Sequence, residues 1–285
     1  MKKKVIIAFS ALVAVIGLLL ILTYTLFALR EVEIDYRTSH ANISASATDE
    51  QIIESGEIDL GGTVLFRNKK KIEQRIENAH PYIDVINIET VFPSKFVIHI
   101  KERTKVYAIA GEGEYYYCDE NLRVLEIVQT LSQDAPILLE GDFTVKRMQA
   151  GQYVDFVQNP MIYQSLYQSN LTYGNQRDII EKIRVEKIYD DAMKEDINSV
   201  KLFLKGGQTV VFANPAKSLD YKAYLFLNVY SNLFDMVGKE SVQKDGSKAV
   251  LTAQNLKTCE IYIDNYYMQT ENSKESCYFK IFVAN

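Results

Sequence analysis

The sequence has no tryptophan, only three cysteines and three histidines, and few prolines at five. Three cysteines (Cys118, Cys259 and Cys277) exclude a disulfide framework, because an odd count leaves a thiol unpaired. Cys259 and Cys277 could pair if their strands are neighbours, and buried free thiols are the plainer reading. His40, His80 and His99 include no pair at zinc-ligand spacing, and His-Glu-x-x-His is missing. The nucleophile elbow Gly-x-Ser-x-Gly does not occur either. Gly56 and Gly61 have P-loop spacing, but Gly62-Thr63 follows where Lys-Ser/Thr is needed. Gly111-Glu112-Gly113 lacks the third glycine of a dinucleotide loop and carries a carboxylate where phosphate would sit. The residues therefore make no positive case for a catalytic site, a metal or a cofactor. With so few prolines and 13 glycines, the chain is not a low-complexity stalk either.

What is abundant comes first in the chain. From Val5 to Leu29 there are 25 residues without a charge, most of them aliphatic or Phe. A helix of that length crosses a hydrocarbon core of about 30 Å with some tilt, and it satisfies its own backbone polar groups there. Lys2, Lys3 and Lys4 precede it, whereas Arg30 and Arg37 on the other flank are mixed with Glu31, Glu33 and Asp35. The positive-inside rule then places the N-terminus in the cytoplasm and the rest outside, a single-pass type II arrangement. A cleaved signal peptide fits less well: the apolar run is too long, and Leu29-Arg30-Glu31 is a poor cleavage site.

With Lys2 to Lys4 set aside, 29 basic residues face 37 acidic ones, a net charge of −8. That argues against nucleic acid or an anionic lipid surface as the main partner of the external part.

Beyond the apolar run, Glu31 to Arg37 alternates with period two and predicts a half-buried strand. Thr48-Asp49-Glu50-Gln51 reads as a capping box opening a short helix that ends near Gly56. A second helix follows Asn68, with Ile72, Ile76 and Ala79 on one face, and stops before Pro81. Ile86, Ile88 and Thr90 alternate in one strand, Phe96, Ile98 and Ile100 in the next, with a Phe92-Pro93-Ser94 turn between them. Strand-helix-helix-strand-strand makes a small α+β domain with two helices on one side of a sheet.

That order, with the stretch Val91-Phe92-Pro93-Ser94-Lys95-Phe96-Val97-Ile98-His99-Ile100-Lys101-Glu102-Arg103-Thr104-Lys105-Val106-Tyr107-Ala108, resembles the POTRA domain of the FtsQ/DivIB family of bacterial cell-division proteins. Gly62-Thr63-Val64-Leu65-Phe66 is similar to the family's Gly-x-x-apolar-Phe lead into the second helix. Thr104-Lys105 departs from the family's frequent Pro, and the loop from Thr38 to Ala47 is longer than usual. Tyr115 to Leu125 resembles the strand-turn-strand that opens the family's β-domain, with Asn121 as the residue suited to positive φ. Ser199 to Phe212 predicts two strands joined by a primed turn at Gly206-Gly207, and Leu219 to Phe234 a helix closed by Gly238. The resulting organisation is a cytoplasmic N-terminus (1–4), a transmembrane helix (5–29), a POTRA domain (30–110) and a larger antiparallel β-rich domain with a helix (111–285).

The resemblance implies a non-catalytic scaffold of the division machinery at the septum. A strand near the end of the β-domain would bind small bitopic partners of the FtsB/DivIC and FtsL type. Glu260 to Asp264 and Cys277 to Val283 are the late strands, and Tyr262, Tyr266, Tyr267, Tyr278 and Phe282 the candidate partner-binding residues. A paired inner strand is the competing reading of these residues. Two other functions stay open at this point: a POTRA-bearing module of a secretion or assembly apparatus, and a membrane-tethered enzyme of unrecognised type. Lys69-Lys70-Lys71 opens the second helix at the end where the helix dipole disfavours cations, either as a solvated end or as a contact with acidic headgroups or a partner.

Overall fold

A computed structural model describes residues 2–39, 41–141, 147–154, 161–169, 178–190, 194–267 and 275–283, with the side chains of 2–8, 189, 190, 195, 266, 267, 275 and 276 left aside. The chain forms two compact units, Met1–Thr104 and Lys105–Asn285.

The first unit opens with α1 (Lys2–Leu26), whose segment Phe9–Leu26 is long and apolar enough to cross a membrane and is not buried against protein. The apolar run outlasts this helix. Leu29 is 1% exposed and belongs to the unit's own core, so the lipid-length segment stops short of the 5–29 span expected from charge alone. Then follow β1 (Glu31–Tyr36), α2 (Ala41–Ser46), α3 (Asp49–Ser55), α4 (Lys69–Ala79), β2 (Ile83–Val91) and β3 (Lys95–Glu102). The sheet runs β1-β3-β2, with β1 parallel and β2 antiparallel to β3.

The capping box is present as written. Thr48 Oγ1 accepts from the Gln51 N–H, and the Gln51 side-chain oxygen accepts from the Thr48 N–H at 2.9 Å. Asn68 caps α4 by accepting from the Lys71 N–H. The stretch expected to be a long loop holds α2, whose Ile43 is fully buried. That helix start is satisfied by Glu102, whose carboxylate accepts from the N–H groups of Asn42 and Ile43 and from the Asn42 amide. In β2, a bulge between Val85 and Asn87 breaks the expected alternation and turns Ile86 out to solvent, 51% exposed.

The second unit contains β4 (Tyr107–Ala110), β5 (Tyr115–Cys118), β6 (Val124–Val128), β7 (Ile137–Gly141), α5 (Met161–Gln168), β8 (Ile180–Asp190), β9 (Glu195–Leu204), β10 (Thr209–Ala213), α6 (Leu219–Ser231), β11 (Glu240–Val242), β12 (Lys248–Val250), β13 (Glu260–Tyr267) and β14 (Glu275–Phe282). Nine of these strands form one sheet, ordered β14-β13-β10-β9-β8-β7-β4-β5-β6. Tyr107–Ala110, expected from sequence to close the first domain, is paired inside this sheet with β5 and β7. β7 runs parallel to both β4 and β8, and β10 parallel to β13, so the sheet is mixed rather than wholly antiparallel.

Three turn details differ from expectation for identifiable reasons. At Asp119–Arg123 the positive φ falls on Leu122 (63°) and not Asn121. The fully buried Asp119 carboxylate accepts from the N–H groups of Asn121 and Arg123, and burial of Leu122 in the core offsets its strained backbone. Between β9 and β10 only Gly207 of the glycine pair is left-handed, at 92°. The Gly207 N–H donates to the Leu204 carbonyl and the Leu204 N–H to the Gln208 carbonyl, the three-residue turn with a bulge instead of a primed turn. Helix α6 ends at Ser231, and the Gly238 side of the pattern is a short 3-10 turn, Leu233–Met236.

Candidate partner-binding edge

The face of the large sheet that carries Ile183, Val200, Leu202, Phe212, Ile261, Ile263 and Ile281 is covered by helices, including α6. Phe226 of α6 is buried against Phe212 with ring centroids 6.2 Å apart. Lys222 on the same helix is fully buried, and its Nζ donates to the carbonyls of Ala213 and Asn214 at the end of β10. No charge pattern signalled this lysine. It acts as a hydrogen-bonding strut, which a buried ammonium requires.

β13 lies parallel to β10 and antiparallel to β14, with Ile261 opposite Ile281 and Ile263 opposite Phe279. Directly opposite residues share a face, and faces alternate along each strand. Glu260, Tyr262 and Asp264 therefore lie on the face away from α6, together with Tyr278, Lys280 and Phe282. Three of the five sequence candidates come together there: Tyr262, Tyr278 and Phe282 are half-buried, and the Tyr262 and Phe282 rings are 6.1 Å apart. Tyr266 and Tyr267 are paired through their backbones with Ser276 and Glu275, and their side chains lie outside the described residues. Lys244 bridges to Glu260 at 2.6 Å and sits 5.2 Å from the Phe282 ring, tying that end of the patch down.

β14 is the terminal strand of the sheet. Its last residues are covered by the β11–β12 hairpin: the Ser241 hydroxyl donates to the Ile281 carbonyl, and the Val283 N–H donates to the Gln243 side chain at 2.9 Å. These two bonds fix the parity of the strand. Ile281 turns its backbone groups away from β13, and so does Phe279, two residues earlier. Among the described residues, no strand pairs with this outer side. Phe279 is 38% exposed and was not among the sequence candidates, because aromatic residues on both faces of Cys277 to Val283 gave no sign of which would meet solvent.

The remaining chemistry is sparse. All three cysteines are free thiols. Burial pushes the Cys118 thiol up and the Cys259 thiol up to about 11, the opposite of an activated nucleophile. Among the described residues, no group of three or more His, Cys, Asp or Glu could hold a metal ion. His99 lies in the first unit's sheet between Asp35 and Glu89 at 2.6 and 3.2 Å, and His40 lies outside the described residues.

The POTRA domain of FtsQ type matches residues 41–103, the span from α2 through β3 that ends on the buried Arg103. Cell division protein DivIB of Clostridium tetani is 32% identical over 96 residues, 34% of this chain and 36% of that protein. DivIB of Bacillus subtilis is 26% identical over 194 residues, 68% of this chain and 64% of that one. The chain carries an FtsQ-type POTRA domain and is similar over part of its length to DivIB cell division proteins. The alignment with a third relative, DivIB of Clostridium acetobutylicum, is 30% identical over 92 residues. The matches span about a third of each clostridial relative's length and just under two thirds of the Bacillus one. Within the FtsQ/DivIB frame, the Lys-Glu-Arg triplet has a local structural meaning. Lys101 pairs with Asp84 at 2.9 Å, Glu102 caps α2, and Arg103 is buried against Glu77 and Asp84.

Proposed function

We propose that this protein is a non-catalytic, bitopic scaffold of the bacterial division machinery, whose external part holds other division proteins and so controls septum formation. The cell-division role is supported by the names of its relatives, and the anchor by α1, with the N-terminus cytoplasmic by its lysine flank. Its partners are bitopic proteins of the FtsB/DivIC and FtsL type. The observation that carries the binding mode is β14: a terminal strand with outward backbone groups at Phe279 and an aromatic patch of Tyr262, Tyr278 and Phe282 beside it. A partner strand added there gains main-chain hydrogen bonds, and the flanking aromatics provide selectivity.

Phe279→Pro tests this directly. Proline at an outward-facing edge position removes an N–H that makes no bond to β13, so the sheet tolerates it. Loss of one main-chain bond to the added strand, with the side chain, weakens the complex about tenfold or more. Binding is measured with the full chain in detergent and a purified FtsB/DivIC-type partner. Undiminished affinity in a folded variant would exclude strand addition at β14. In cells, depletion gives filaments without septa, and normal division after clean deletion would count against the whole reading.

A further inference from the structure

The residues that leave α1 are held from two sides. On one side, the loop from Asp59 to Arg67 bonds to the stem three times: the Leu29 N–H donates to the Gly62 carbonyl at 2.7 Å, the Gly61 N–H to the Leu29 carbonyl and the Val64 N–H to the Phe27 carbonyl, each at 2.8 Å. On the other, the Arg30 N–H donates to the Ser94 carbonyl at 2.8 Å, and the Phe92 ring stands edge-on to Phe27 at 6.1 Å. Both loops therefore flank the first residues beyond the helix end at Leu26.

These loops expose large apolar side chains. Leu60 is 58%, Phe92 61% and Phe66 96% exposed. Phe66 also has a left-handed backbone, φ 63°, a conformation that a bulky residue adopts only where its surroundings impose it. The loop does impose it. The Arg67 guanidinium crosses the loop to donate to the Asp59 and Thr63 carbonyls, and a Cβ on Gly62 would collide with that guanidinium. Val64 is buried, Leu65 half-buried, and Phe66 is thrust outward. Its Cα lies within about 7 Å of Val64, which is bonded to Phe27, so the ring is within reach of a headgroup layer some 5–8 Å deep around the helix exit. Immediately beyond, Lys70 and Lys71 are exposed on the first turn of α4, where the helix's own dipole repels cations. Acidic headgroups would reverse that penalty.

We infer that Leu60, Phe66 and Phe92, with Lys70 and Lys71, dock the first unit onto an acidic bilayer surface around the exit of α1. The inference rests on α1 spanning the membrane and is independent of the β14 edge. It also gives the overall negative charge a local exception: two lysines at the membrane, with acidic residues in excess elsewhere.

The absence of tryptophan makes the test clean. Phe66→Trp places a single indole at the site in the full chain, and Ile86→Trp places one on an exposed position six residues up β2 from Phe92, about 20 Å away. Both variants are reconstituted in vesicles of phosphatidylcholine with phosphatidylglycerol, with and without brominated acyl chains. The indole of the Phe66→Trp variant should be blue-shifted and strongly quenched by bromine, and that of the Ile86→Trp variant neither. Lys70→Glu with Lys71→Glu in the Phe66→Trp background should weaken surface docking roughly fivefold or more per lysine, read as recovered indole fluorescence. An unquenched indole in an anchored Phe66→Trp chain overturns this inference alone. A chain that does not enter vesicles overturns the reading of α1 and the inference with it. Equal quenching in purely zwitterionic vesicles overturns the assignment to an acidic surface.

Discussion

Arg103→Met is the substitution with the largest expected effect on the first unit. The Arg103 guanidinium is 6% exposed and donates to the Glu77 carboxylate at 2.9 Å, the Asp84 carboxylate at 2.8 Å and the Ile83 carbonyl at 3.0 Å. Glu77, 11% exposed, also accepts from the Val85 N–H at 3.0 Å. Methionine keeps the stem volume but takes the guanidinium away from the buried Glu77 carboxylate and a donor away from the Ile83 carbonyl. Breaking a buried pair from one side costs about 3–5 kcal/mol. The consequence is an opening equilibrium on the order of a thousandfold more populated for the β2–β3 and α4 amides. Hydrogen exchange of the full chain in detergent reads this locally, with the second unit as the internal control. Adding Glu77→Gln to Arg103→Met should restore part of the protection, since it removes the uncompensated buried charge while the amide oxygen still accepts from the Val85 N–H. A loss below about 1 kcal/mol for Arg103→Met, or no recovery in the double variant, would refute the claim that this network holds helix and sheet together.

Two further outcomes follow from backbone and burial. Gly207→Ala forces a side chain into φ 92° and places its Cβ 2.9 Å from the Lys257 carbonyl oxygen, so it should cost more than the roughly 1–2 kcal/mol of the left-handed backbone alone. Gly113→Ala, at φ 80° with open space around it, isolates the backbone part, and equal losses in urea titrations of the two variants would remove the contact with Lys257 from the explanation. Burial holds the His80 imidazole below its ordinary value of 6.5, against an opposing hydrogen bond to the Gln51 backbone. The unfolded chain therefore takes up a proton first as pH falls through about 6.5, and stability contributed by neutral His80 is lost below that pH. Thermal melts of wild type and His80→Asn should diverge in this window, the wild type losing more on acidification; parallel curves would exclude His80 as a contributor.

The features legible from sequence were those in which a side chain decides the local backbone. Thr48 to Gln51 announces a capping box because both partners lie within four residues, and the geometry is as written. Strand β1 is legible because its alternation is strict. Where the deciding contact comes from far along the chain, local pattern was silent or misleading. Helix α2 starts where Glu102, 60 residues on, supplies acceptors. Leu122 takes the positive φ that Asn121 was expected to take because a buried Asp119 organises the turn. Lys222 is buried because two carbonyls at the end of β10 await it.

The same distinction explains why the POTRA match lies in the first unit and the proposed binding site, in the second, carries no motif of its own. The first unit depends on side chains that only particular residues can replace: a guanidinium at Arg103 that donates to three acceptors, a carboxylate at Glu102, a missing Cβ at Gly62. A fold built on such contacts writes a motif, and the match over residues 41–103 ends on Arg103. An edge strand binds chiefly through N–H and C=O groups that every residue but proline carries, so the proposed strand addition at β14 would be compatible with many sequences. What it does require is register: even-numbered Tyr278, Lys280 and Phe282 on one face, and odd-numbered Phe279 and Ile281 turning their backbones outward. Register follows from pairing with β13 and from Ser241 and Gln243 on the β11–β12 hairpin, none of which periodicity alone could supply. Moving β14 by one residue would send Tyr278 and Phe282 into the core face and turn the backbones of the even-numbered residues outward in place of Phe279 and Ile281, without altering the composition of the strand at all.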